Sequence, residues 1–150
     1  MSPDHILEKL PYARPFLFVD ELSKIDDNGI EGTFTFTKTL DFYKGHFKDN
    51  PVTPGVILTE CCAQIGLVCL GIFLLAKDIS NSTTNLQIGM SRSEMEFLLP
   101  VFPGEKVTVT SEKRYFRFHK LKCAVKMHNA YGQLVCKGEI AGMIKYGDNV

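Results

Sequence analysis

The feature that most constrains this chain is a long apolar segment in its middle. The run Ile65–Ala76 carries no charged or amide side chain, and residues 50–55 ahead of it are rich in proline and small polar residues. Thr53 can cap a helix, and Pro54 suits the first helical position. We therefore predict a helix over about 54–77 that is apolar on nearly every side.

A helix of this kind must be surrounded, either by lipid or by the rest of the protein. Its uncharged run falls short of the roughly 20 residues that cross a bilayer, so we interpret it as a buried core helix with no membrane contact. The remaining chain is rich in β-branched and aromatic residues, and 33–37 alternates with period two. We predict about six strands, at 16–25, 30–40, 86–97, 106–118, 121–129 and 133–146, with a hairpin turn at 129–132.

These elements predict an α+β fold. Strands with no second helix between them favour an antiparallel sheet, and the simplest way to bury an all-round apolar helix is to curl that sheet around it. A chain of 150 residues is long enough for one such core, so we predict a single domain over 1–150 with an N-terminal tail at about 1–9.

Charge and cysteine content exclude several classes of protein. Lys+Arg and Asp+Glu both number 17, which argues against a nucleic-acid-binding protein, because phosphate binding needs a basic excess. The five cysteines include no CxxC pair, and their odd number disfavours a disulfide framework, so we expect free buried thiols and no metal site. The first residues lack the basic and apolar regions of a signal peptide, so we expect a cytoplasmic protein.

Residues with catalytic chemistry concentrate between positions 45 and 64. His46 stands in the loop before the predicted helix and is a candidate base. Gly55 lies in the first turn of the helix, where backbone N–H groups lack intrahelical partners and can bind an oxyanion. Glu60, about five residues further on, is a candidate acid, and Gln64 shares its face at i+4 and could orient it.

This stretch matches the pattern G-H-F-x-x-x-P-x-x-P-G-V-x-x-x-E-x-x-A-Q over 45–64. It resembles the hot-dog-fold 3-hydroxyacyl-[acyl-carrier-protein] dehydratases of the FabZ family, and more distantly FabA. Residues 10–20 resemble the family's LPHRYPFLLVD segment, and 100–105 resemble its P-V-x-P-G-D segment. The resemblance therefore runs through most of the chain, from about 10 to 143.

The resemblance implies a hot-dog fold and a dehydratase reaction. Two chains would pair, as a homodimer or an assembly of dimers, so that His46 of one meets Glu60 of the other. His46 would take the α-proton of the thioester, Gly55 N–H would hold the enolate-like oxygen, and Glu60 would assist departure of the 3-hydroxyl as water. Because the acid is Glu, as in FabZ, and not Asp, as in FabA, no isomerase activity is expected.

Further expectations follow from the same resemblance. Supporting or substrate-binding positions are occupied by Phe47, Gln64 and Phe97. No metal or other cofactor is expected, because the substrate is carried on the phosphopantetheine arm of an acyl carrier protein. That carrier protein is the expected partner, with no nucleic acid and no membrane.

The chain departs from the family pattern in three places. Tyr12-Ala13 stands where His-Arg is common, Lys48 replaces a proline, and the basic A-R-F-R-R segment becomes the largely apolar 95–99. Because acyl carrier proteins are acidic, the loss of those arginines suggests a different docking face or a dedicated carrier, as in polyene pigment or polyketide synthesis. The cations that remain are Lys113, Arg114, Arg117, Lys120, Lys122 and Lys126, which could equally form an ordinary solvated strand face.

Two other functions remain open at this stage. The hot-dog fold also hosts acyl thioesterases, and it could host a non-catalytic acyl-chain binder or heterodimer partner. A further expectation concerns the acyl chain, because Leu67, Gly71 and Leu74 share one helix face with small residues nearby. Gly66 or Gly71 would border an acyl channel if that face is not ordinary core.

Overall fold

The computed structural model describes residues 1–78 and 85–147. Within these ranges the chain forms one six-stranded antiparallel sheet in the order β1-β2-β4-β5-β6-β3, curled around a long helix. This confirms the predicted α+β hot-dog architecture. The strands are β1 (Glu21–Asp26), β2 (Gly29–Thr35), β3 (Asn85–Phe97), β4 (Lys106–Arg117), β5 (Lys120–His128) and β6 (Leu134–Gly147).

The central helix has three consecutive parts. An α-helical part, α2 (Gly55–Ala63), leads into a π-helical turn (Gln64–Cys69), and a second α-helical part, α3 (Leu70–Asp78), follows. The helix begins one residue later than predicted, because Pro54 is its N-cap. Thr53 does not cap it: its hydroxyl is buried and lies 2.6 Å from the Tyr43 hydroxyl.

Length and hydropathy alone would allow this helix to span a membrane. The span Gly55–Ala76 has 22 residues and a mean hydropathy of 2.0, but 72% of its most apolar window is buried inside the protein. Alternate residues of the sheet supply that burial, since they point inward and are almost fully enclosed. They include Phe34, Val107, Val109, Leu121, Val125 and Ile144.

Helix and sheet make their closest contacts at two glycines, and this corrects the acyl-channel expectation. A Cβ placed on Gly66 would lie 2.8 Å from Val125 Cγ1, and one on Gly71 would lie 2.5 Å from Ile144 Cδ1. A real Cβ does not approach other atoms so closely, so neither glycine borders open space. Both positions are ordinary core, where the lack of a side chain lets the sheet approach the helix.

The π-helical turn is supported by the sheet. A π turn widens the helix by one residue and leaves a carbonyl outside the regular hydrogen-bond ladder. Ser111 on β4 donates its hydroxyl to the Gly66 carbonyl at 2.9 Å, and both groups are buried. This buried hydroxyl therefore compensates the irregular part of the helix at the point where β4 crosses it.

Several predicted boundaries differ from the structure. The strand predicted from residue 16 begins only at Glu21, because the backbone of Phe16 and Phe18 bonds to the side chain of Gln64 instead of to a strand. The strand predicted to end at residue 40 stops at Thr35. The expected N-terminal tail contains a short helix, α1 (Pro3–Glu8), whose Ile6 is fully buried in the core.

Strand β3 forms one edge of the sheet and is the most exposed strand of the six described. It is 13 residues long, and only one side of its backbone is paired, with β6. A long exposed edge of this kind offers its free N–H and C=O groups to another strand. The edge is therefore a candidate surface for association with a second chain.

Candidate active site

His46 is held by the loop that follows it. Its Nδ1 lies 2.9 Å from the Val52 carbonyl oxygen, and its own carbonyl accepts a hydrogen bond from Val52 N at 2.9 Å. Because a carbonyl can only accept, the neutral imidazole must carry its proton on Nδ1. Nε2 is then unprotonated and free to act as a base.

The loop is in turn attached to the body of the protein. Thr53 N donates to the carbonyl of the buried residue Val101 at 2.9 Å, and the Thr53 hydroxyl meets that of Tyr43. The segment around Val101 is the one that resembles the family's P-V-x-P-G-D. Its role here is to hold the loop between His46 and the helix in place.

Gly55 opens the helix with an unused donor. No described residue accepts a hydrogen bond from its backbone N–H, as expected for the first turn of a helix. The ring of Phe97 lies over this position, 3.4 Å from where a Cβ on Gly55 would stand. A cleft of about 290 Å³ lies here, lined by Thr53, Gly55, Leu58, Phe97, Leu98, Leu99 and Pro100.

Glu60 is oriented by Gln64, as the i+4 spacing predicted. Gln64 Nε2 donates to Glu60 Oε2 at 2.9 Å and to the Phe16 carbonyl at 3.0 Å, while Gln64 Oε1 accepts from Phe18 N at 2.7 Å. Gln64 is fully buried, and all its hydrogen-bonding atoms are engaged. Its amide therefore cannot rotate, and it holds the carboxylate in one direction.

The setting of Glu60 favours its protonated form. Burial raises the pKa of Glu60 above its ordinary value, and the hydrogen bond from Gln64 opposes that rise only in part. An unperturbed Glu with a pKa near 4.3 would be almost fully ionised at neutral pH and a poor proton donor. The raised pKa is the property that a general acid in this position requires.

The candidate base and acid have different hydrogen-bond partners within the described residues. No hydrogen bond or ion pair in the described part of the chain joins His46 to Glu60. Phe47 stacks on His46 with ring centroids 4.1 Å apart, and Phe97 covers Gly55, so both aromatic residues lie beside site groups. Within residues 1–78 and 85–147, no cluster of three or more His, Cys, Asp or Glu side chains could hold a metal ion.

Sequence reasoning missed three residues near the site. Val52 orients the imidazole through its carbonyl, which no side-chain pattern could reveal. Tyr43 supports the loop through Thr53. Tyr12 lies close enough to Glu60 for that charge to affect its ionisation, and the available signal was its replacement of a histidine that is common in the resembling family.

Comparisons with known proteins show the family to which this chain belongs. The FabA-like domain family matches residues 10–144. The 3-hydroxyacyl-[acyl-carrier-protein] dehydratase FabZ of Sinorhizobium fredii is 36% identical over 143 residues, covering 93% of this chain and 86% of that protein. The FabZ of Caldicellulosiruptor bescii is 33% identical over 145 residues, covering 95% and 97%. The resemblance found in the sequence is confirmed.

Solved structures share the fold at low sequence identity. The dehydratase heterocomplex ApeI:P from Xenorhabdus doucetiae has a TM-score of 0.78 at 12% identity, covering 99% of this chain and 93% of that one. A hypothetical thioesterase with coenzyme A from Streptococcus pneumoniae has a TM-score of 0.64 at 17% identity, covering 86% and 88%. Both likenesses concern the fold alone.

Proposed function

Because the chain belongs to the FabA-like family, we propose that it is a 3-hydroxyacyl-[acyl-carrier-protein] dehydratase, a hydro-lyase that forms the trans-2-enoyl thioester. The observation that carries the proposal is the presence of two groups with complementary chemistry. His46 has its Nδ1 engaged by the Val52 carbonyl, which leaves Nε2 unprotonated in the neutral ring, and Glu60 has a raised pKa. One is suited to accept a proton and the other to give one. Elimination of water from a 3-hydroxyacyl thioester needs both.

The reaction can be assigned atom by atom. His46 Nε2 removes a proton from C2, and the electron pair moves toward the thioester carbonyl, whose oxygen is held by Gly55 N–H. The C2–C3 double bond then forms as the C3–O bond breaks, and Glu60 protonates the leaving hydroxyl to give water. Positioned acid–base groups contribute about 10²–10⁴-fold each, and one oxyanion donor about 10²–10³-fold.

A site shared between two chains is the second part of the proposal. Three observations support it: no hydrogen bond or ion pair among the described residues joins His46 to Glu60, strand β3 offers an unpaired edge, and apolar side chains around Gly55 face solvent. Val56, next to Gly55, is 77% exposed, and Phe97 is 47% exposed. Clustered exposed apolar residues are typical of surfaces that a partner covers. A homodimer through β3 would pair the edges and cover these residues.

The carrier protein would dock at the tip of the β4–β5 hairpin. Of the six cations noted in the sequence, Arg114 pairs with Glu112, and Lys122 is within 3.6 Å of Glu139. Arg117 and Lys120 at the tip form no ion pair with a described residue, and Phe118 between them is 89% exposed. A cationic tip with one exposed aromatic ring suits an acidic partner that also offers an apolar contact.

The tip would also lie near the partner's site in a β3-paired dimer. Lys120 pairs with Met143 on β6, and Met143 pairs with Gly89 in the first half of β3. Antiparallel pairing of two β3 edges places this half of one strand beside the Phe97 end of the other. A carrier bound at one tip could therefore deliver its phosphopantetheine arm to the site at the partner's Gly55.

The biological setting is part of the proposal as well. The reaction serves fatty-acid, polyene pigment or polyketide synthesis, and the apolar 95–99 segment favours a dedicated carrier over a general one. We assign the enzyme to the cytoplasm, in keeping with its five free and buried cysteines.

The test is mass spectrometry of a 3-hydroxyacyl carrier protein incubated with the enzyme. Dehydration is expected, seen as the loss of one water from the acyl carrier. Release of free carrier would show hydrolysis and would instead support a thioesterase. An unchanged carrier, with a correctly folded enzyme and several chain lengths tried, would favour the non-catalytic acyl-chain binder.

A further inference from the structure

The segment 12–18 lies along the helix face that carries the acid. Phe16 and Phe18 bond through their backbones to Gln64, which in turn holds Glu60, as described above. Tyr12 belongs to the same segment, with its ring centroid 6.5 Å from that of Phe16. The Tyr12 ring therefore packs beside the segment that shares the Gln64 amide with Glu60.

The phenol of Tyr12 has no hydrogen-bond partner among the described residues. Its ring is half-buried and packs against the hydrophobic core. A buried tyrosine usually pairs its hydroxyl, as Tyr43 does with Thr53 at 2.6 Å. The Tyr12 hydroxyl is therefore available to a ligand.

The electrostatic setting keeps that phenol a donor. Burial, and next the charge of Glu60, raise the pKa of Tyr12 above its ordinary value. The hydroxyl is therefore protonated at every pH at which the enzyme could work. Glu60 Oε1 has no partner among the described residues either, since Gln64 engages only Oε2.

We propose that Tyr12 donates a hydrogen bond to the 3-hydroxyl oxygen of the substrate as that oxygen leaves. The inference rests on the proposed dehydratase function. The departing oxygen has two lone pairs: one takes the proton of Glu60, and the other accepts from Tyr12. The phenol keeps its proton throughout, so the balance of the reaction is unchanged, and it stabilises the negative charge that develops on the oxygen as the C3–O bond breaks.

The kinetic test compares Tyr12→Phe with wild type on a 3-hydroxyacyl carrier protein of fixed chain length. Loss of the hydroxyl should lower kcat about 10-fold or more and raise KM by a smaller factor, because the bond is present in the bound substrate and strengthens in the transition state. Tyr12→His, which keeps a ring N–H donor, should recover part of the loss. Tyr131→Phe is the matched control, since Tyr131 is 86% exposed, and it should behave as wild type.

A binding test separates this role from a structural one. The binding test uses the Glu60→Gln variant, which should bind substrate without turning it over. Its dissociation constants for 3-hydroxyacyl pantetheine and for saturated acyl pantetheine are measured. The same two constants are then measured for the Glu60→Gln/Tyr12→Phe double variant. Only the 3-hydroxyl can accept from Tyr12, so the preference for the hydroxylated ligand should fall about 3- to 10-fold. Since the ratio compares two ligands on the same protein, a loss of stability would not imitate this result.

Two results would overturn the inference. An unchanged ligand preference would do so, as would a Tyr12→Phe kcat within about twofold of wild type while Glu60→Gln is inactive. Both leave the dehydratase function standing. If wild type itself fails to dehydrate any 3-hydroxyacyl carrier, the proposed function fails first, and the role of Tyr12 fails with it.

Discussion

At the scale of single residues, groups that do not react fix the tautomer of the candidate base and the direction of the candidate acid. The Val52 carbonyl determines which nitrogen of His46 carries the proton, and the amide of Gln64 determines where Glu60 points. Both preparations use hydrogen bonds to backbone or to a buried amide, which are rigid partners. The acid and base are thus positioned before any substrate arrives.

The first prediction concerns the reacting groups themselves. His46→Ala and Glu60→Gln should each lower kcat by about 10² or more, because each removes an acid–base group. Neither change removes core volume, so circular dichroism should show an unchanged fold. Near-normal turnover in either variant would exclude that residue from the proposed chemistry.

The second prediction concerns the stability cost of Glu60. Because the folded-state pKa of Glu60 is raised, the folded chain holds this proton more tightly than the unfolded chain. Stability is therefore lost as pH rises above the unfolded value, near 4.3, and through the folded one. Glu60→Gln removes the buried charge, so its Tm should exceed that of wild type by about 1–3 °C at pH 8.

Thermal melts of both proteins from about pH 4.5 to pH 8 test this. The advantage of Glu60→Gln should shrink toward the acid end, where the folded-state carboxyl is increasingly protonated and the unfolded-state carboxyl begins to be. A difference that is constant with pH, or that grows on acidification, would show that burial does not raise the Glu60 pKa.

At the scale of elements, the central helix and the sheet limit each other's shape. The sheet closes on the helix at Gly66 and Gly71, and the π turn between α2 and α3 depends on Ser111 of β4 for one buried hydrogen bond. The helix thus departs from regular geometry at Gln64–Cys69, immediately after the turn that holds Glu60.

The third prediction tests whether these glycines are core. Gly71→Leu should cost about 1–3 kcal/mol of stability by overpacking against Ile144, and it should lower activity on short and long acyl chains alike. Gly71→Ala is the graded control: its methyl group also meets Ile144 Cδ1 and Cγ2, but it adds less volume than leucine and should cost less stability. If Gly71→Leu instead spares four-carbon substrates and rejects long ones, the position borders an acyl channel after all.

At the scale of the whole molecule, one chain leaves several features incomplete. The edge of β3 is unpaired on one side, the rim of the Gly55 cleft is apolar, and no hydrogen bond or ion pair among the described residues joins the candidate base to the candidate acid. A two-fold symmetric dimer could pair the two edges, cover both apolar rims and bring the base of each protomer to the acid of the other. In such a dimer the same surface of each protomer forms the interface.

The fourth prediction tests this arrangement by complementation. Inactive His46→Ala is mixed with inactive Glu60→Gln under conditions that exchange subunits. If sites are shared, each heterodimer contains one intact site, and random exchange should restore about a quarter of wild-type activity. The control mixes His46→Ala with the double variant, which offers no intact site. Subunit exchange is demonstrated separately. If exchange occurs and no activity returns, each site is built from one chain.

The fifth prediction tests the hairpin tip. Arg117→Glu and Lys120→Glu should raise KM for the carrier-bound substrate several-fold but leave KM for the same acyl group on free pantetheine unchanged. Added salt should weaken wild-type binding in the same selective way. Lys24→Glu, an equal charge reversal on β1, is the control. An equal rise in KM for both substrates, or an equal rise caused by Lys24→Glu, would show that the carrier protein docks on another surface.

Much of this architecture follows from the sequence because it depends on local patterns. Period-two alternation and turn residues predict β3 to β6 to within about a residue or two, and the apolar segment predicts the central helix. The proposed site residues are also local, since His46, Gly55 and Glu60 lie on one loop and the helix it enters. Their spacing predicts a candidate acid–base site, and the resemblance to the dehydratase family implies the role of each residue.

The tertiary structure decided what depends on contacts distant in sequence. Phe18 and Phe16 bond to Gln64 across 46 and 48 residues, and this removes a predicted strand. Ser111 supports a π turn 45 residues away, and Tyr12 packs beside Phe16, whose carbonyl bonds to Gln64 on the helix. A local pattern records which conformations a segment prefers. It does not record which distant partner takes its hydrogen bonds, and that choice sets the protonation and direction of the groups in the site.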